Sequence, residues 1–483
     1  MVLGAGRMPD FSDRRTALWA LAAGCGIFAV GAAIAVGSGN GGTLVLVAAL
    51  GVAPLLIVAA ARWPYVFPFG LFCMLAPFDQ AMSIPGAGSL PRYLGVLSAL
   101  AVGIYAARTR RIYRPPLALY LWALFLAWVL INMFRSIDMT NATATLQAMA
   151  SLIVLYAVFA TAPITERQLR FACTAIVAGG IVAAVYGMVL FHQHPDLLAK
   201  TDARVTVNLL GHTLDANMFA DALLTPFALA LIALLHARRP RTILISFASL
   251  AVVFSAIVAS LSREALLAVA VIVMVTIWFS RKRLLGIVLA VPAFGVLLLL
   301  VPSILTRIQD GFKTGGAGRT SIWHVDWTAF VQHPLIGWGT GNSIEAYDRN
   351  FLAVYQLYNA GWSRPPHNTA LFIAVELGLV GVVLFSAAFF AAFRPLVSVQ
   401  RGDALYDLRV AITASLIALL VASLFIDVSA TKSLWLVLIL AAQFRTVLLS
   451  RRPAVVAAYE YQPPAAAPLA QIRPRTVLGG STR

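Results

Sequence analysis

Long apolar runs, cut by short polar and basic connections, fill most of this chain. Crossing ~30 Å of hydrocarbon takes roughly 20 apolar residues in a helix. By that measure the sequence predicts fourteen candidate spans, at 17–37, 43–61, 64–78, 93–107, 117–134, 145–162, 171–191, 216–236, 243–261, 265–280, 284–301, 369–391, 410–427 and 431–448. The third and fourth are short, and Pro64 and Pro68 interrupt the third, so twelve is the alternative count. One long polar stretch, Pro302–Pro366, breaks the pattern. Within it Ile322, Val325, Ala329 and Phe330 recur at helical spacing, which predicts short amphipathic helices capping the bundle. The expected fold is an all-α, polytopic transmembrane helical bundle of 12–14 spans with one large loop outside the membrane. The expected order is an N-terminus over 1–16, helices 1–11 over 17–301, the loop over 302–366, helices 12–14 over 367–448, and a disordered Ala/Pro-rich tail over 449–483.

Composition agrees. Hydrophobic residues make up 60% and charged residues 11% of the 483, where a soluble domain carries about 25% charged residues. The net charge of +17 does not point to nucleic acid, because the basic residues punctuate the apolar runs and form no basic face. They orient the chain instead. Arg108-Thr109-Arg110-Arg111, Arg238-Arg239-Pro240-Arg241 and Arg281-Lys282-Arg283 fall on alternate connections, as expected of cytoplasmic loops with the N-terminus inside. Met1–Arg15 is polar and basic and the run after it is long enough to span, so no cleavable leader is expected. Cys25, Cys73 and Cys173 sit in apolar runs and read as packing residues.

This orientation gathers the polar chemistry on the outer face. Arg364-Pro365-Pro366-His367-Asn368 joins the large loop to an apolar helix, and groups placed there are costly unless used. His367 and Asn368 read either as a plain helix cap or as an active imidazole with its holder. Arg263 reads either as a local pair with Glu264 or as a fork for phosphate. Arg92, Arg204, Arg319 and Arg364 supply further guanidinium groups on that face. Glu376, inside the next span, reads as an ion-pair partner or a proton carrier. Gly337-Trp338-Gly339-Thr340-Gly341 lacks the Lys-Ser/Thr of a nucleotide loop and reads as a tight turn. His192, His194 and Asp196 do not have metal-ligand spacing.

Arg319-Thr320-Ser321-Ile322-Trp323, His333-Pro334-Leu335-Ile336-Gly337-Trp338-Gly339, and His367-Asn368 followed by Gly378 and Gly381, resemble the bacterial O-antigen ligases and the related O-antigen and exopolysaccharide polymerases. Asp215-Ala216-Asn217-Met218-Phe219-Ala220 and Ser262-Arg263 add to the likeness, which covers roughly 204–385. The resemblance implies a membrane glycosyltransferase in the bacterial inner membrane, active on the periplasmic side. Its donor would be an undecaprenyl-diphosphate-linked glycan, and its acceptor another lipid-linked glycan (polymerase) or lipid A–core (ligase), with the polymerase slightly favoured. Membrane lipid, a flippase and a chain-length regulator are the implied partners, with no cofactor, metal or nucleic acid. The implied site has His367 and Arg263 as catalytic residues, and Arg204, Arg319, Arg364, Asn368, Asn217 and Arg92 on the substrate, with Gly378 and Gly381 structural. The rival readings are a proton-coupled transporter or lipid flippase using Glu376 and Asp427, and a purely structural membrane subunit.

Overall fold

The computed structural model describes residues 56–84, 88–193, 204–209, 212–279, 302–313, 316, 318–358 and 363–451, with four isolated positions between 284 and 295. The candidate spans at 17–37 and 284–301, most of 43–61, the N-terminus 1–16, the tail beyond 451, Cys25 and His194 lie outside the described residues or touch them only at isolated positions.

Helices follow the apolar runs. The short helix α1 (Phe69–Leu75) passes into a 3₁₀ turn at Ala76–Phe78, so the third candidate span is broken where Pro64 and Pro68 interrupt it. Then come α2 (Leu90–Thr109), α3 (Leu117–Met133), α4 (Met139–Thr161), α5 (Glu166–Gln193), α6 (Ala216–His236), α7 (Pro240–Ala259) and α8 (Arg263–Phe279). The long polar stretch holds α9 (Pro302–Lys313), α10 (Arg319–Gln332) and α11 (Ser343–Tyr358), and α12 (Thr369–Val397), α13 (Tyr406–Ala422) and α14 (Lys432–Ser450) complete the order. Strand is confined, among the described residues, to two hairpins with two-residue arms, Ser83–Ile84 with Gly88–Ser89 and Asn208–Leu209 with His212–Thr213.

Seven of these helices, α2, α4, α5, α6, α7, α12 and α14, are long and apolar enough to cross a membrane. The chain is therefore a multi-pass membrane protein. The fourth candidate span is longer than its apolar run suggests. Pro91 stands in the first turn of α2, where a missing N–H costs nothing, so the helix begins ahead of the run and reaches 20 residues. Caps fix several starts: Asp138 accepts from Thr140 N at 2.9 Å, Asp215 from Asn217 N at 2.8 Å and Asn368 from Leu371 N at 3.0 Å.

The bundle is built around α6 and α14. Every residue from Leu434 to Phe444 is buried, and Trp435 packs on Trp122 of α3 with ring centroids 4.7 Å apart. By contrast α7 turns Leu244, Ile245 and Phe247 outward, as a helix at a lipid boundary does.

One break organises the end of the bundle that carries the loop. Gly378, inside α12, has φ 67° and ψ −169°, a conformation open essentially to glycine alone. Helical bonding stops there, and the turn between α10 and α11 takes over the freed groups. Trp338 N donates to Val375 O at 2.8 Å, Gly339 N to Glu376 O at 2.9 Å, and Leu379 N to Pro334 O at 2.8 Å. Trp128 Nε1, from α3, donates to Leu377 O at 2.9 Å. The Glu376 carboxylate receives Gly341 N at 2.9 Å and Ser343 N at 3.3 Å, so it caps the start of α11. Asn342 ties the same turn to the α3–α4 connection, its Oδ1 accepting from Ile137 N at 3.0 Å.

A Cβ on Gly378 would lie 2.3 Å from the Leu335 carbonyl oxygen, a backbone atom with nowhere to go. Gly378→Ala is expected to destabilise the fold by roughly 3 kcal/mol or more from strain and clash together. Thermal unfolding of the purified variant in detergent checks this, and an unchanged midpoint would contradict the docking described.

Candidate functional site

The turn between α7 and α8 and the start of α10 meet the start of α12 at this same end. Leu261, with φ 52°, makes the turn tight enough for α8 to begin at Arg263. Ser260 O accepts from Arg204 Nε at 2.7 Å, and Arg204 Nη2 also donates to Asn217 Oδ1 in the first turn of α6. Glu264, with its side chain 3% exposed, pairs with Arg319 of α10 at 2.9 Å. The local pairing of Arg263 with Glu264 is thus corrected: Glu264 belongs to Arg319. Arg263 turns the other way, donating from Nη1 to Arg307 O of α9 at 3.0 Å. It lies flat against Gly311, where a Cβ would come within 1.8 Å of Nη1.

His367 sits beside this set. Its backbone is left-handed, φ 48°, a conformation uncommon outside glycine and concentrated at working sites. Three bonds hold the turn around it. Trp323 Nε1 of α10 donates to Pro366 O at 3.0 Å, Asn368 Nδ2 to Leu424 O at 3.0 Å, and Thr369 N to Ser423 O at 2.8 Å. Asn368 therefore caps α12 with one end of its amide and anchors the α13–α14 connection with the other. Burial first, and then the Arg319 cation, hold the His367 imidazole below its ordinary range, with Arg364 adding to this and Asp215 and Glu264 opposing it. That direction favours the neutral imidazole, the form that accepts a proton.

The structure thus brings together His367, Arg319, Arg204, Asn217 and Arg364, with Arg263 at the edge facing α9. Arg92 does not join them: it projects from α2 and bonds Gln147 Oε1 of α4 at 3.4 Å. Gly378 makes the break in α12, and Gly381 lies under Leu377, whose Cβ would be 2.3 Å from an added methyl. Glu376 and Asp427 both serve backbone amides, Asp427 accepting from Ser429 N at 2.9 Å. No group of three or more His, Cys, Asp or Glu among the described residues is arranged to hold a metal ion.

Sequence reasoning passed over two buried acids. Asp221 lies one turn along α6 from Asn217, 3% exposed and within the field of Glu264, Asp215 and Arg319. Asp326 lies on α10, two turns from Arg319 and fully buried. Neither carboxylate has a hydrogen-bond partner among the described residues. The available signal was an acid set among apolar residues at helical spacing from a polar one.

Residues 248–386 match the family model of the O-antigen ligases. That stretch contains Arg263, Glu264, Arg319 and His367, while Arg204 and Asn217 precede it. No curated protein matches the chain.

Burial pushes the Asp326 carboxyl up to about 8 from its ordinary 3.8. The unfolded chain ionises this group first. Its contribution to stability is therefore complete below the ordinary value and is lost as pH rises toward about 8. Asp326→Asn, which keeps the shape and cannot ionise, is expected to flatten the fall of unfolding temperature across that window. An equal slope in wild type and variant would show that the carboxyl is already ionised in the fold.

Proposed function

We propose, from the match of residues 248–386 to the O-antigen ligase family, that the chain transfers or polymerises undecaprenyl-diphosphate-linked repeat units at the periplasmic face of the inner membrane. The family works in envelope glycan assembly. The observation that carries the reading is the meeting of an ion-paired arginine with a half-buried histidine of left-handed backbone at the end of the bundle.

Transfer breaks the bond between the sugar's anomeric carbon and the diphosphate oxygen, and the acceptor hydroxyl oxygen forms the new bond. Negative charge grows on the departing undecaprenyl diphosphate. Fixed guanidinium groups stabilise that charge more in the transition state than in the ground state. Arg319 is the first candidate, because Glu264 takes one of its N–H groups and aims the planar fork. Arg204, aimed by Asn217 and Ser260 O, is the second. His367 receives the proton of the acceptor hydroxyl. Arg263 ranks lower than its sequence position suggests, since its guanidinium holds α9 to α8.

Polymerisation, with a second lipid-linked glycan as acceptor, remains the first reading. The ligase reading, with lipid A–core as acceptor, draws support from the family description. Flippase and chain-length regulator belong with the polymerase as partners. The transporter reading loses its sequence support, because the carboxylates of Glu376 and Asp427 are occupied by backbone amides.

The test is reconstitution of purified protein with an undecaprenyl-diphosphate-linked repeat unit, without nucleotide or divalent metal. A ladder of longer lipid-linked glycans supports a polymerase, and transfer only after lipid A–core is added supports a ligase. Intact protein inactive in both would refute the transferase reading. In the active assay His367→Ala and Arg319→Ala are each expected to slow transfer by ~100-fold or more, compared at matched amounts of folded protein. Arg263→Ala is expected to cost less, and Gly311→Ala, which displaces the Arg263 guanidinium, to match it. A larger loss for Arg263→Ala than for Arg319→Ala would reverse the assignment.

A further inference from the structure

Along α10 the residues Arg319, Trp323, Trp327 and Val331 recur every fourth position, and Leu335 continues the spacing into the turn that follows. Positions four apart lie above one another on a helix, so these side chains form one slowly winding stripe. Its first member is the cation paired with Glu264. Trp323 is half-buried, its ring tilted on Phe425. Trp327, Val331 and Leu335 are 56%, 55% and 63% exposed. The packing of this helix onto α11 and α12 uses other positions, Ile322, Val325 and Ala329. Beyond Arg319 and Trp323, which hold Glu264 and Pro366 O, the stripe is apolar, exposed and outside this packing.

Nor does it end in water. Leu379 N bonds Pro334 O at 2.8 Å, and Val380 N bonds Leu335 O at 3.3 Å. Leu335 thus lies beside Leu379, Val380 and Val383, which α12 also exposes and which belong to a membrane-spanning helix. A guanidinium stands at one end, aromatic rings follow, and aliphatic groups run on into the lipid-facing surface. α10 alone gives this track a length of about 20 Å. That order matches an amphiphile with an anionic head and a long hydrocarbon tail.

We propose that this stripe is the track for the isoprenoid tail of a polyprenyl-diphosphate-linked donor. The diphosphate sits at Arg319, and the tail passes Trp323, Trp327, Val331 and Leu335 to enter the bilayer beside α12. The inference rests on the transferase reading for the identity of the lipid. The tail leaves the site along the outside of the α10–α11 hairpin, and the sugar faces His367 on the inner side.

The experiment uses the full chain in phosphatidylglycerol–phosphatidylethanolamine vesicles with undecaprenyl diphosphate carrying a diazirine in its tail. After irradiation the adducts are mapped by mass spectrometry. The expected result is labelling within 323–335 that unlabelled undecaprenyl diphosphate competes away and excess phosphatidylglycerol does not. Val331→Asp and Leu335→Asp are expected to lower that labelling roughly tenfold by removing apolar contact. Leu352→Asp, equally exposed but on α11, should leave it unchanged. Adducts confined elsewhere overturn the proposal, as does equal competition by phosphatidylglycerol, which would make the stripe a boundary for ordinary lipid. Should the aspartate variants fail to fold, the wild-type map and its competition decide alone. Labelling at the stripe in protein that transfers no glycan would sink the transferase reading and keep the lipid track. Active transfer with adducts elsewhere would do the reverse.

Discussion

α12 surrenders its own helical bonding at Gly378, and much of this end of the molecule depends on what replaces it. Backbone groups freed at membrane depth cost several kcal/mol each if left unpaired. Here the amides of Trp338 and Gly339 and the indole N–H of Trp128 take the carbonyls of Val375, Glu376 and Leu377. The Glu376 side chain then closes the start of α11. The polar stretch is consequently no loose cap. Its turn is hydrogen-bonded into the bundle, and the two helices leaving that turn have their directions set by it. α10 is anchored beside the break and, at its other end, carries Arg319 to Glu264 and Trp323 to the residue before His367.

Held that way, the charges form a prearranged field. Three of the arginines have dedicated partners: Glu264 for Arg319, Asn217 and Ser260 O for Arg204, Arg307 O for Arg263. A buried ion pair adds little net stability, but removing one partner strands the other at a cost of about 3–5 kcal/mol. Such pairs fix position, and a site that must meet charge developing on a diphosphate needs fixed donors. Burial, with the Arg319 and Arg364 cations beside it, holds the neighbouring His367 imidazole below its ordinary range. One arrangement thus supplies both an anion-stabilising side and a proton-accepting side.

Much of this was legible in the sequence, for reasons that differ residue by residue. The apolar runs predicted the helices because the bilayer sets their length. Asn368 stood where a capping residue stands, and it caps α12. The glycines at 337, 339 and 341 suggested a tight turn, and all three have positive φ. The pairing of Glu264 was not legible. Its neighbour Arg263 looked like the partner, yet adjacent residues on a helix point about 100° apart. The true partner, Arg319, lies 55 positions along the chain. Glu376 misled for a related reason. A carboxylate in a span suggests a cation or a proton, but the amides at a helix start serve equally well, and only the folded chain brings those of Gly341 and Ser343 to it. Arg92 shared a face with the site in the linear topology, but α2 packs on α4, away from the cluster. Asp326 escaped notice because it reads as one more polar position on an amphipathic helix.

The claim on which the rest turns is that the docked stretch brings Arg319 and His367 into one site. The pH dependence of kcat/KM for glycan transfer, in wild type and in Arg319→Gln, tests it directly. The Arg319 charge lowers the His367 pKa, and its removal also frees the opposing charge of Glu264. The account predicts that wild-type activity falls on acidification with a midpoint below the ordinary histidine value, and that the midpoint moves up in Arg319→Gln. An acid limb that stays in place when Arg319 is neutralised would mean that the two residues do not share a site.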